Sequence, residues 1–362
     1  MHDKDLINRA VLLASRSRGM TSPNPMVGAL LVRNGRIIAE DYHKRPGEPH
    51  AEALVIEKAG DKARSSTLYV SLEPCCHTDK RTPPCTKAII RAGIKRVVVA
   101  MKDPNPKVSG KGIKELEAAG IEVVSGLSEE KAKKLNEAYV KYITTKKPFV
   151  ILKVAMTLDG KIATREGESK WITGEKARRM VHRLRSSVDA VMTAVGTVRA
   201  DDPELTSRIR GGKNPVRVVI DPDLEIPLDA RLLRLPPPTI LVTREVDIRE
   251  FNRADKLNYI VKSGCSIISF KDKLELNWLM ERLVERQITC VMIEGGSSLN
   301  AHALEESIVD KVMFFIAPKI MGGRESFPAV GGRTSRNLAE AYRLRDVATR
   351  RVGDDLLVEG YL

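Results

Sequence analysis

The stretch His50-Ala51-Glu52, followed by Leu72-Glu73-Pro74-Cys75-Cys76-His77 and Thr82-Pro83-Pro84-Cys85, decides the reading of this chain. A histidine, a glutamate two residues on, and three cysteines within eleven residues form a group that a packed core does not require. Each member alone is ordinary. A histidine at a helix start bonds to backbone, and small thiols sit well beside a proline turn. Together they are a donor set. One imidazole and two thiolates fill three positions of a tetrahedral zinc ion and leave the fourth to water, the open geometry of a catalytic site. Glu52 then moves protons instead of binding metal. His50 and Cys85 are the expected ligands together with Cys75, which directly follows Pro74, with Cys76 as the alternative first thiolate.

Working outward, His50 opens a helix that closes near Gly60. In mid-helix, residues two apart point about 200° away from each other. His50 and Glu52 can therefore share a site only at a helix tip, and Gly47 and Pro49 fit a helix starting there. Upstream, residues 5–18 have helical spacing, and residues 27–32 and 37–39 are apolar runs joined by Arg33-Asn34-Gly35-Arg36, a hairpin signal. Downstream, strands over 67–72, 94–101 and 121–124 alternate with helices over 86–92, 111–119 and 129–146. This is the pattern of a three-layer α/β unit with its site at strand ends.

Lys146-Lys147-Pro148 reads as the joint, giving domains 1–146 and 147–362. The second half starts a fresh α/β pattern. Strands are expected over 149–155, 189–198, 216–220, 239–242, 288–293 and 311–317, helices over 174–187 and 276–287 and from 299, and a hairpin over 348–361. Ile293-Glu294-Gly295-Gly296-Ser297 joins a strand to a helix, where backbone N–H groups can cradle a pyrophosphate. It is not the G-x-G-x-x-G dinucleotide fingerprint, which disfavours a Rossmann domain.

At 362 residues, 42% hydrophobic and 30% charged, the composition is that of a two-domain soluble globular protein. The polar start and the absence of a membrane-length apolar run point to the cytoplasm. Five cysteines, three of them clustered, speak for metal instead of a disulfide framework. The net charge of +14 fits phosphorylated ligands. With only 4% aromatics and no basic block, base stacking on nucleic acid is disfavoured.

The order H-x-E, P-C, C is that of the zinc nucleobase deaminases. Together with Pro23-Asn24-Pro25-x-Val27-Gly28, it resembles the deaminase half of the bifunctional riboflavin-biosynthesis deaminase/reductase family. The nine residues between Cys75 and Cys85 make this loop one longer than is usual there. Lys153-Val154-Ala155-Met156-Thr157-Leu158-Asp159-Gly160-Lys161, Gly167-Glu168-Ser169-Lys170-Trp171-Ile172-Thr173 and Gly196-Thr197-Val198-Arg199-Ala200-Asp201-Asp202-Pro203 resemble the reductase half. The resemblance covers nearly the whole chain in the same domain order. It implies a cytidine-deaminase-like α/β domain followed by a dihydrofolate-reductase-like α/β domain, with Zn²⁺ and NADPH as cofactors.

On the deaminase side, the resemblance implies substrate contacts at Asn24, His43 and Arg81, with Lys80 competing for Arg81's place. On the reductase side it implies cofactor contacts at Ala155, Trp171, Thr197, Asp201 and the turn Gly296, Ser297, Ser298, Leu299, Asn300, Ala301 and His302. Substrate contacts are implied at Ser169, Arg185, Leu205, Arg208 and Glu294, and Lys153 is a weaker candidate for polarising a sugar carbonyl. The implied reactions are deamination of 2,5-diamino-6-ribosylamino-4(3H)-pyrimidinone 5′-phosphate and then NADPH-dependent reduction of its ribosyl chain to ribityl. The expected ligands are phosphorylated pyrimidine and NADPH, without nucleic acid or membrane, in a homo-oligomer. Two other readings compete: a tRNA or polynucleotide deaminase with an unrelated second domain, and a non-enzymatic zinc-stabilised NADP-binding module. The glutamate beside the zinc histidine counts against the second.

Overall fold

Asn34 and Gly35 both take positive φ, 51° and 70°, as a two-residue hairpin turn requires. They join β1 (Gly28–Arg33) to β2 (Arg36–Tyr42) as an antiparallel pair. The computed structural model describes residues 2–78, 83–247, 249–332 and 337–362. Its contacts divide the chain into the units Met1–Lys147 and Pro148–Leu362.

The first unit continues with β3 (Thr67–Val70), β4 (Arg96–Val99) and β5 (Glu122–Ser125) in the order β2-β1-β3-β4-β5. β1 pairs antiparallel with β2 and β3, and β3, β4 and β5 run parallel. α1 (Asp3–Ala14), α2 (Ala51–Ala59), α3 (Cys85–Arg91) and α4 (Lys111–Ala118) connect or flank these strands. Val97, Val98 and Val99 are fully buried, as expected of a parallel strand covered on both faces. α1 packs its Leu6, Ile7 and Ala10 into the same core. It lies so close to β1 that a Cβ at Gly28 would stand 2.2 Å from the Ala10 carbonyl oxygen.

The single helix expected over 129–146 is instead two, α5 (Glu129–Leu135) and α6 (Glu137–Thr145). The break falls at Asn136, which is buried and bonds the Met26 backbone in both directions. Its Oδ1 accepts from Met26 N at 2.8 Å, and its Nδ2 donates to Met26 O at 3.0 Å. Satisfying that loop backbone outweighs one continuous helical turn.

The second unit is built on β6 (Phe149–Thr157), β8 (Ala190–Ala194), β9 (Val216–Ile220), β10 (Ile240–Arg244), β11 (Ser266–Phe270), β12 (Cys290–Ile293), β13 (Lys311–Ala317), β15 (Arg345–Val352) and β16 (Asp355–Tyr361). Their order is β11-β10-β9-β8-β12-β6-β13-β16-β15. Neighbours are parallel from β11 to β13, and β16 and β15 close the sheet as an antiparallel hairpin. β15 is the outer edge, exposed along nearly its whole length, with a register shift between Arg345 and Ala348. A separate ribbon pairs β7 (Lys161–Ala163) with β14 (Phe327–Pro328). The helices are α7 (Glu175–Ser187), α8 (Val195–Asp201), α9 (Arg231–Arg234), α10 (Phe251–Lys262), α11 (Leu276–Glu285) and α12 (Ser297–Glu305).

Two expectations change here. The strand expected over 189–198 stops at Ala194, because its ladder ends at the pair Ala194↔Ile220, and α8 takes over. Residues 243–275, left without elements in the sequence reading, hold α10 and β11. α10 buries only Ile260, too little apolar periodicity to announce a helix.

Gly28→Ala is expected to destabilise the first unit by roughly 3 kcal/mol, since backbone of α1 must move to admit the methyl. Urea unfolding of the full chain, with a reduced midpoint for the first unit, checks this.

Candidate active sites

His50 is the N-cap of α2, with φ −71° and ψ 160°, so its ring projects past the helix tip. Glu52 lies in the first turn of the same helix and is buried. This answers the spacing problem, because the histidine stands outside the helix and the glutamate inside it. β3 feeds the segment Ser71–Cys75, and Cys85 is the first residue of α3. His50 Nδ1 lies 3.5 Å from Cys75 Sγ and 3.3 Å from Cys85 Sγ, and the three donor atoms all fall within 4.8 Å of one another. Cys76 is half-buried and is not part of this convergence.

The turn that delivers Cys75 is held by a residue to which the sequence reading gave no role. Glu73 Oε2 accepts from Asp103 N at 3.1 Å and Gly110 N at 2.9 Å, while Oε1 accepts from Ile113 N at 3.2 Å. Gly110 is the N-cap of α4, so a carboxylate occupies the positive end of that helix. A Cβ at Gly112 would sit 2.2 Å from Pro74 O, which shows how tightly α4 is drawn against the Cys75 turn.

Zinc fits these residues. One imidazole and two thiols match its nitrogen and sulfur preference. Beside them Glu52 Oε2 is buried with no hydrogen-bond partner among the described residues, a cost native proteins rarely leave unanswered. Burial pushes the Glu52 carboxyl up from its ordinary range, with His50 opposing. Asn24 Nδ2 lies 3.3 Å from His43 Nε2, and His43 Nδ1 lies 3.2 Å from Pro49 O. The His43 ring meets His50 edge-on at 5.2 Å between centroids. Asn24 and His43 thus adjoin the donor cluster. Arg81 and its competitor Lys80 lie outside the described residues.

In the second unit a cavity of about 1030 Å³ opens at the ends of β6, β8 and β12. At its base Glu294 is buried between two cations. Arg185 Nε and Nη2 donate to Oε1 and Oε2 at 2.6 and 2.9 Å, and Lys153 Nζ lies 2.9 Å from Oε2. Burial alone would raise the Glu294 carboxyl, but Arg185 and Lys153 more than offset it and hold the group well below the usual carboxylate range. Ser169 donates to Asp201 Oδ1 at 2.8 Å, tying the 167–173 loop to the end of α8. Trp171 is 62% exposed, with Arg178 stacked 4.6 Å over its ring.

Ala155, Ser169, Trp171, Arg185, Thr197, Asp201, Leu205, Arg208, Glu294, Gly296, Ser297, Ser298 and Leu299 all line this cavity. Asn300, Ala301 and His302 do not, because α12 runs away from it. Asn300 is fully buried and donates to Ala329 O, and His302 pairs with Glu306 one turn on. A dinucleotide fits the remainder. Gly296 caps α12 with no side-chain cap bond, the first turn of Ser297, Ser298 and Leu299 lines the cavity, and a Cβ at Gly296 would project to 3.7 Å from Thr197 Oγ1. His182, Lys170, Arg178 and Arg231 also line the cavity. The sequence reading missed them because, on an amphipathic helix or a loop, they look like solvated charge.

Residues 148–358 match the family model described as the RibD C-terminal domain, and residues 1–101 match the cytidine and deoxycytidylate deaminase zinc-binding region. The riboflavin biosynthesis protein RibD of Aquifex aeolicus is 44% identical over 98% of this chain and 97% of its own length. Its Escherichia coli K12 counterpart is 38% identical over 98% of each. The solved structure of Acinetobacter baumannii RibD superposes with a TM-score of 0.89 at 35% identity, covering 99% of this chain and 98% of its own. A Thermotoga maritima structure, described as a diaminohydroxyphosphoribosylaminopyrimidine deaminase/5-amino-6-(5-phosphoribosylamino)uracil reductase, gives 0.87 at 37% with the same coverage. Among the described residues no helix is long and apolar enough to cross a membrane.

Glu73→Ala leaves three backbone N–H groups without an acceptor. It is expected to lower zinc affinity roughly ten-fold, the usual cost of losing a residue that orients a ligand. Zinc competition against a chromophoric chelator measures it, and unchanged affinity would remove Glu73 from that role.

Proposed function

The chain belongs to the RibD family of bifunctional riboflavin-biosynthesis enzymes, and from that premise we propose which residues carry its two reactions. It is a zinc-dependent pyrimidine deaminase and an NADPH-dependent pyrimidine reductase. It has a cytidine-deaminase-like domain and a dihydrofolate-reductase-like domain. The deaminase removes the exocyclic amine of 2,5-diamino-6-ribosylamino-4(3H)-pyrimidinone 5′-phosphate. The reductase then converts the ribosyl chain to ribityl, giving 5-amino-6-ribitylamino-2,4-pyrimidinedione 5′-phosphate. We assign the first activity to residues 1–146 and the second to residues 147–362.

The observation that carries the deaminase assignment is the buried, unpartnered Oε2 of Glu52 beside the His50, Cys75 and Cys85 donors. Zinc, when held by those three, supplies a water acidic enough to act as a nucleophile near neutral pH. Glu52, buried beside those donors, would be the group that accepts a proton from the attacking water and delivers it to the departing amine. Its burial favours the protonated form and suits it to carrying a proton in a site closed to solvent. Asn24 and His43 orient the pyrimidine, and Arg81 is assigned to the ribose phosphate by the guanidinium's match to that group.

In the second unit NADPH supplies the hydride. Ala155, Trp171, Thr197, Asp201 and the turn Gly296–Leu299 would hold it, the start of α12 offering backbone N–H groups suited to a phosphate. Ser169, Arg185, Leu205, Arg208 and Glu294 hold the pyrimidine substrate, and positioning of the two partners is the protein's main contribution. Asn300, Ala301 and His302 lie further along α12, where Asn300 and Ala301 are buried and anchor the helix and His302 pairs with Glu306. We further infer a cytoplasmic homo-oligomer whose ligands are small and phosphorylated. A polynucleotide deaminase with an unrelated second domain is disfavoured by the reductase family model, which spans residues 148–358.

Two substitutions separate the activities. Glu52→Gln is expected to keep zinc and lose ammonia release by at least roughly a hundred-fold, and a fully active variant would take Glu52 out of the mechanism. Glu294→Ala strands Arg185 and Lys153 and is expected to cut NADPH oxidation roughly a hundred-fold while sparing ammonia release. Equal loss of both activities would indicate a folding defect instead.

A further inference from the structure

One turn before Arg185 on α7, His182 turns a second nitrogen base into the reductase cavity. Its Nδ1 lies 3.1 Å from Thr206 O. A carbonyl oxygen only accepts, so Nδ1 carries the proton in this bond. The same oxygen takes a second hydrogen bond from Arg185 Nη1 at 3.2 Å, which fixes the backbone against both side chains. With Nδ1–H engaged, Nε2 of the neutral ring keeps its lone pair on the far side. Among the described residues no protein hydrogen bond reaches Nε2.

The surroundings give that lone pair its meaning. Arg185 and Lys153 are donors only; both pair with Glu294, and both keep further N–H groups. Arg208, a donor as well, pairs with Glu204. Beside these donors, His182 Nε2 is an acceptor that no protein donor among the described residues engages. The charged groups facing the ring are Arg185 on α7, Arg208 beyond α8 and Glu294 after β12. Burial first, and then Arg185, hold the imidazole below its ordinary pKa, so the acceptor form prevails at neutral pH.

We propose that His182 is a specificity-determining residue of the reductase, its Nε2 accepting a hydrogen bond from an N–H or O–H donor on the pyrimidine ligand. This rests on the reductase reading given above. A cavity with a partly buried acceptor discriminates against an analogue that has no donor there, because the acceptor is left unpaired. His182 thereby selects what Arg185 and Arg208, which answer negative charge, cannot.

His182→Asn and His182→Gln in the full chain test it. The asparagine amide stands where Nδ1 does and keeps the bond to Thr206 O, but it withdraws the acceptor. The glutamine amide oxygen reaches the place of Nε2 and restores it. Binding of the ribityl product phosphate, measured by calorimetry, is expected to weaken roughly ten-fold in His182→Asn, the worth of one hydrogen bond, and to recover in His182→Gln. The KM for the pyrimidine should follow while that for NADPH stays put. Wild-type affinity in His182→Asn, or equal weakening in both variants, would overturn the proposal and leave the reductase reading intact. Absence of NADPH oxidation by the wild type would overturn that reading, and the binding comparison would still decide the role of His182.

Discussion

Cys75 can meet His50 only if the chain turns sharply after β3, and a turn there leaves backbone N–H groups from the 103–113 segment facing inward. Glu73 answers three of them with one buried carboxylate. Its charge sits at the start of α4, where the helix dipole favours it. Gly112 lets that helix approach the Pro74 carbonyl closer than any side chain would allow. The position of a thiol that would bind metal is thus set by an acid that does not. Asp103, whose N–H bonds Glu73, has its own carboxyl pushed up to about 6 by burial and takes a hydrogen bond from Tyr139. The network thereby extends from the metal-binding turn to α6.

The two units set buried carboxylates to opposite uses. Burial raises both Glu52 and Glu294 as a first effect. At Glu52 the neighbouring groups do not overcome it, and the result is an acid able to hold and release a proton. At Glu294, Arg185 and Lys153 reverse it, and the result is a fixed negative charge that locks two cations in place. The same side chain, buried in both units, is driven to its charged form at Glu294 by the two cations within 3 Å of it.

Much of the first site was legible in the sequence, because its chemistry is confined to residues 50–85 and the residue types are costly to use otherwise. What the sequence could not display was the support: Glu73 reads as one more acid before a proline, and its partners lie thirty to forty residues away. Beyond the strand-to-helix turn over residues 293–297, the second site was legible only through resemblance. Arg185 and Glu294 are 109 residues apart, and nothing in their spacing announces that they meet. His182 and Arg178 look like the polar side of an amphipathic helix, and only the fold shows that this side faces a cavity. The break at Asn136 was hidden for the same reason, since the competing partner is a loop 110 residues upstream.

The exposed edge strand β15 carries a further consequence. An uncovered strand offers unpaired N–H and C=O groups to any passing chain. Here it brings Arg345, Arg350 and Arg351 along its length and slips register between Arg345 and Ala348. The exposed charges and the irregular spacing make a continuous ladder with a further strand less favourable. The nine-stranded sheet thus ends in a strand whose charge and irregular register disfavour further edge pairing.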